Sequence, residues 1–181
     1  MTTWVALLRG INVGGNHRLP MASLVALLTG LGAGDVRTYI QSGNVVFTAG
    51  AREGEAMGGR LRDAIQDAHG FAPHVLVRRA NALERVIERN PYPDAAAEPK
   101  TLHVYFLDTK PPTPDVDGLE AIRGEHESFE LDGDVLYLHL PDGLGQSTLA
   151  ARAEKLVGVP ATARNWSTVT KLAGLAASAP D

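Results

Sequence analysis

The sequence predicts an α+β fold built from two ferredoxin-like β-α-β-β-α-β halves, each with a trailing helix, in antiparallel or mixed sheets. Three observations predict it. Apolar residues alternate between short strand-like runs and i, i+3, i+4 helical stripes. That succession of elements occurs twice, in the order of a split β-α-β unit. The segment 91–100, rich in Pro and Ala, separates the two series as a linker does. The halves are therefore drawn as residues 1–95, which hold a Gly-rich loop, and 96–181, which end in a helix. Element spacings differ between them, so topology repeats and no sequence period does. The alternative is one continuous α+β domain with a mixed sheet.

Each element has its own signal. Residues 4–9 are a continuous apolar run, hence a central strand. Met21, Leu24, Val25, Leu28 and Leu31 form a helical stripe, with Pro20 suited to the first turn, where its missing N–H costs nothing. Gly30, Gly32 and Gly34 end that helix. Residues 36–40 and 45–48 read as a hairpin joined by Gln41-Ser42-Gly43-Asn44. Met57, Leu61, Ala64, Ile65 and Ala68 mark the second helix, 74–77 the fourth strand, and Leu83, Val86 and Ile87 a third helix. In the second half, 102–107 is a strand, and Val116, Leu119 and Ile122 mark a short helix. Residues 127–131 and 135–140 form a hairpin around Asp132-Gly133. Leu149, Ala153 and Leu156 mark a helix, 160–164 the last strand, and Trp166, Val169, Leu172 and Ala176 the final helix. The tail beyond Ser178 is expected to fray.

Composition excludes several classes. The chain has 181 residues, of which 44% are hydrophobic, enough for a packed core. It has no cysteine, so disulfides, thiolate catalysis, iron–sulfur clusters and Cys-type zinc sites are excluded. The first apolar run is too short for a signal peptide or a membrane span. A cytoplasmic protein with no membrane partner is expected. Lys and Arg number 17 against 21 Asp and Glu, a net charge of −4, which argues against coating a polyanion by bulk charge. The distribution is uneven. Residues 1–50 hold three arginines and one aspartate, residues 51–100 balance, and residues 101–181 hold six basic and twelve acidic residues.

Four motifs stand out: Leu8-Arg9-Gly10-Ile11-Asn12-Val13-Gly14-Gly15, Tyr39-Ile40-Gln41-Ser42-Gly43-Asn44-Val45-Val46-Phe47, Asn90-Pro91-Tyr92 and Ala163-Arg164-Asn165-Trp166-Ser167-Thr168-Val169. In this order the chain closely resembles the bacterial domain-of-unknown-function family 1697, over nearly its whole length. The resemblance implies an α/β fold of ferredoxin-like character and supplies no activity. Many members of that family carry a Lys in the stretch after the paired glycines. Here that stretch is Asn16-His17-Arg18, so such a role passes to Arg18.

The split β-α-β topology brings three loops to one sheet edge: 10–19, 41–44 and 69–73. Both N-terminal motifs land there. Gly10, Gly14 and Gly15 allow backbone N–H groups to face a ligand. The helix starting near Pro20 adds a positive dipole end. Arg9 and Arg18 suit a phosphate or carboxylate, and Asn12, Gln41, Ser42 and Asn44 offer neutral hydrogen bonds. The pattern is neither a Walker A loop nor a G-x-G-x-x-G fingerprint. Turn formation alone also accounts for these glycines. Arg164, before the last helix, joins the candidate ligand-binding residues, whereas Asn165 suits an N-cap and Trp166 the helix stripe.

Other constellations are weaker. His17, His69, His74, His103, His126 and His139 form no H-E-x-x-H-type pair, and no metal site is predicted. Ser42 has no orienting base, which favours hydrogen bonding over nucleophilic attack. His103 and Tyr105 on one strand, with Tyr137 and His139 on another, are placed together on the open face of the second sheet. RNA-recognition domains carry stacking aromatics on such strands. Nine acidic residues between Asp108 and Asp134, against Lys110 and Arg123, oppose that use. Packing against the other half or another subunit is the expected role. No catalytic residue or cofactor is assigned. The leading expectation is a small polar or anionic ligand of the nucleotide or phosphometabolite class at the 9–18 and 41–44 loops. The alternatives are a nucleic-acid-binding module and a non-catalytic structural or interaction protein.

Overall fold

The computed structural model describes residues 1–179. Pro180 and Asp181, in the tail expected to fray, lie outside the described residues. The chain forms two compact units. One comprises Met1–Arg85 and the residues from Lys171 onward, and the other Val86–Thr170.

The first unit holds β1 (Thr2–Arg9), α1 (Met21–Gly30), β2 (Gly34–Tyr39), β3 (Asn44–Ala49), α2 (Ala51–His69) and β4 (His74–Arg79). α3 (Ala80–Glu88) then begins. The sheet order is β2-β3-β1-β4, with every neighbouring pair antiparallel. That order and connectivity are those of a split β-α-β unit. Strand alternation sends Trp4, Ala6, Leu8, Val45 and Phe47 to one face, where they pack with Leu24 and Leu28 of α1 and Met57, Leu61 and Ile65 of α2. α2 begins at Ala51, six residues before the first large residue of its stripe. Its first turn faces solvent and has no apolar stripe to signal it. Gly54 lets this helix lie directly on the Trp4 indole. The opposite face carries Val5, Leu7, Asn44 and Val46, all buried. On β2, Arg37 pairs with Asp35 at 2.8 Å, and its Nη1 donates to Ser178 Oγ at 3.0 Å.

The second unit repeats the plan with β5 (Leu102–Leu107), α4 (Val116–Ile122), β6 (Ser128–Asp132), β7 (Val135–His139), α5 (Thr148–Val157) and β8 (Ala161–Asn165), leading into α6 (Trp166–Ala177). Its sheet runs β6-β7-β5-β8, again antiparallel throughout. Two separate antiparallel sheets thus replace the single mixed sheet of the alternative reading. Short 3₁₀ turns at Asp94–Ala97 and Leu144–Gln146 carry no sequence stripe and were not expected. The first falls inside the segment read as a linker. Asn90 closes the chain before it, accepting from the Tyr92 backbone N–H at 2.9 Å. Asn165 caps α6 as its sequence suggests, accepting from Thr168 N–H at 2.9 Å.

The shared aromatic face does not form. In the β5–β7 register, Tyr105 stands opposite Leu136 and His103 opposite Leu138, while Tyr137 stands opposite Val104 and His139 opposite Leu102. Directly paired residues share a face. His103 and Tyr105 therefore lie on the helix side, where Tyr105 joins the core with Leu119, Leu149 and Val157. Tyr137 and His139 lie on the other side. There the Tyr137 hydroxyl donates to Val86 O at 2.9 Å, and the His139 ring lies 5.7 Å from the Tyr92 ring. Each strand's alternation was read correctly; a one-residue offset in pairing separates the two sets.

Candidate functional site

β1 and β2 end on the edge where β3 and β4 begin. Arg9 stands opposite His74, Leu7 opposite Asn44, and Tyr39 opposite Asn44. Loops 10–20, 40–43 and 70–73 leave from these ends and are tied together by side chains.

Asn12 is the principal tie. Its Nδ2 donates to Leu19 O at 2.9 Å and to Gln41 O at 2.8 Å, and its Oδ1 accepts from Leu19 N–H at 2.8 Å. Its own N–H reaches His17 O at 3.1 Å. The first loop is thereby closed on itself and stapled to the second. Within it, Val13 and Asn16 form a bridge, with Asn16 N–H donating to Val13 O at 3.1 Å. Gly14 and Gly15 lie between them at φ 59° and 81°, the two left-handed positions that a tight type I′ turn requires. This turn leaves the tip exposed, with Val13 at 67% exposure.

The second loop is held from inside. Asn44 is fully buried, and its Nδ2 donates to Tyr39 O at 3.0 Å and to Ser42 Oγ at 2.9 Å. At Gly43, where φ is 80°, a Cβ would stand 2.6 Å from Leu8 Cβ and 2.8 Å from Ile11 Cδ1. Only glycine therefore lets this loop close over β1. Ile40 precedes it at φ 50° with 51% of its surface exposed. A left-handed β-branched residue is a strained one.

The third loop contributes Phe71, on which the His17 ring is stacked at 4.7 Å with the planes 17° apart. His17 Nδ1 lies 3.1 Å from Gly10 O. A carbonyl only accepts, so Nδ1 carries the proton and donates. Sequence reasoning passed over His17 as a site residue. Its one signal was its position between the paired glycines and Arg18.

Of the expected site residues, Arg9, Gly10, Gly14, Gly15, Arg18, Gln41 and Ser42 are exposed on this edge. Asn12 and Asn44 are on it too, with their amides committed to the loops. Residues 9–20, 39–48 and 69–79 contain no acidic residue. Among the described residues, Arg18 pairs with no carboxylate. In their own residues these segments are thus cationic on an acidic chain. Arg164 belongs to the second unit, on β8, with Nη1 donating to Ala163 O at 2.8 Å. Burial lowers its pKa to about 10.

Two open clefts lie elsewhere. One, of about 340 Å³, is lined by Thr2, Arg79, Asn81 and Glu84 in the first unit. The other, of about 300 Å³, is lined by Asp94, Glu98, Thr101 and His139 in the second. In the first, Arg79 is already paired with Glu55 at 3.1 Å; the second is acidic. Neither matches an anion as the loop edge does. Among the described residues, no group of three or more His, Asp or Glu side chains is arranged to hold a metal. No helix among them is long and apolar enough to cross a membrane.

Fold and edge together define a two-unit α+β protein whose first sheet carries a three-loop edge bearing arginines. The chain belongs to the family described as "Protein of unknown function (DUF1697)", which matches residues 1–137. A solved structure described as the conserved bacterial protein SP0830 from Streptococcus pneumoniae is similar to it. The two share 22% identity and a TM-score of 0.70, over 98% of this chain and 99% of that one. That likeness is one of fold. No curated protein matches.

Proposed function

We propose that this protein binds a small anion, of the phosphometabolite or nucleotide class, on the edge formed by Arg9 to Arg18 and Gln41 to Asn44. The observation that carries the reading is the convergence of these loops, whose own residues include no Asp or Glu and among which Arg18 is exposed and pairs with no carboxylate among the described residues. Backbone strain supports it. Ile40, a β-branched residue, is held at φ 50° beside the second of these loops. Such strain, of order 1–3 kcal/mol at one residue, persists where the surroundings over-determine it and gathers at binding sites. The acidic second half weighs against nucleic acid as the ligand. A cytoplasmic location is part of the proposal, in keeping with a chain that has no cysteine to oxidise.

Titration with ribose 5-phosphate and inorganic phosphate, followed by calorimetry or amide chemical shifts, tests the reading. Arg18→Ala is expected to weaken binding about tenfold, the loss of one charge-assisted hydrogen bond of ~1.5 kcal/mol. Raising the ionic strength is expected to weaken it further, because the edge is exposed. Binding that is unaltered in both Arg9→Ala and Arg18→Ala would place the anion elsewhere.

A further inference from the structure

An anion alone makes no use of the exposed ring beside the arginines. His17 is exposed, yet it is fixed on two sides: one face lies on Phe71, and Nδ1 is bonded to Gly10 O. Phe71 covers one face of the ring, and the residue as a whole stays exposed to solvent. Such a ring is pre-organised. A flat group laid on it gains stacking contact without the entropic cost of ordering a side chain. With Nδ1 donating inward, Nε2 lies at the ring's other edge, and in the neutral ring it accepts a hydrogen bond. Arg18 follows directly in the chain, and the Gly14-Gly15 turn directly precedes.

We infer that the ligand of this edge is a nucleotide, with its base stacked on the exposed His17 ring opposite Phe71 and its phosphate held by Arg18. The inference rests on the anion reading and narrows it, since a phosphosugar would leave the His17 face unused. His17 is then the residue that separates nucleotides from other phosphate esters, and Phe71 positions it.

The test compares adenosine 5′-monophosphate with ribose 5-phosphate on the full chain, by calorimetry and by NMR of the histidine ring protons. The nucleotide is expected to bind about tenfold more tightly, in line with stacking one base on one aromatic side chain. The His17 ring protons are expected to shift upfield with the nucleotide and not with the sugar phosphate. In His17→Asn, which keeps a residue tolerant of positive φ, the affinity ratio should fall to about one. In His17→Tyr the ratio should recover in part. Equal affinity for the two compounds, or a nucleotide preference that survives His17→Asn with no upfield shift, overturns the stacking and leaves the anion reading standing. Should neither compound nor inorganic phosphate bind, both readings fall. The ring-proton measurement needs no variant, so poor folding of a substituted chain does not decide the outcome.

Discussion

Asn12 uses both of its amide hydrogens and its carbonyl oxygen within the protein. A polar residue in a glycine-bearing loop looks like a ligand contact in the sequence; here it shapes the edge on which a ligand would sit. Asn44 behaves alike, buried and bonded to the turn it follows. Ile40 is the opposite case: an apolar side chain at φ 50°, half in solvent. Its backbone strain can be isolated by comparing two variants that lose the same apolar contacts. Asn tolerates the left-handed region and Ala does not, so Ile40→Asn is expected to be more stable than Ile40→Ala by about 1 kcal/mol. Urea denaturation of the pair measures this, and an Ala variant as stable as the Asn one would mean the position is unstrained.

α2 carries glycines with opposite meanings. At Gly54 a Cβ would run into the Trp4 indole, the largest side chain of that strand face, whereas at Gly59 it would meet nothing within 4 Å. Alanine is favoured over glycine in a helix interior by roughly 1 kcal/mol. Gly59→Ala is therefore expected to stabilise by about that amount. Gly54→Ala is expected to destabilise by about 1–3 kcal/mol, because the indole is buried and has no room to shift. Thermal melts of the two variants should move in opposite directions; a shared sign would contradict the packing described. The strands teach a related lesson. Alternation within β5 and β7 was readable, but the faces they share depend on a pairing that no local pattern encodes.

Across the whole molecule, charge and burial set the response to pH. His103 is buried on the helix side of the second sheet, and desolvation holds its pKa below the ordinary 6.5. The unfolded chain therefore takes up this proton at a higher pH than the folded one. Stability from this residue is complete above pH 6.5 and declines as pH falls through the window beneath it. His103→Leu is expected to flatten that decline, which denaturant midpoints between about pH 7 and 5 would show. An unchanged slope would mean that the ring is charged in the folded state.

Strand and helix order, the core stripes and the meeting of three loops were legible in the chain, because hydrophobic period is a local signal and the order of elements constrains the topology. Composition likewise revealed that the first fifty residues, which hold the glycine-bearing loops, are slightly basic on a chain whose second half is acidic. The tertiary structure decided everything that depends on partners distant in sequence. It set the register that divides Tyr105 from Tyr137, committed Asn12 to Gln41 across 29 positions, and stacked His17 on Phe71. A side chain's chemical type is written in its own position, but whether it faces a ligand, a turn or a core depends on which segments the fold brings beside it.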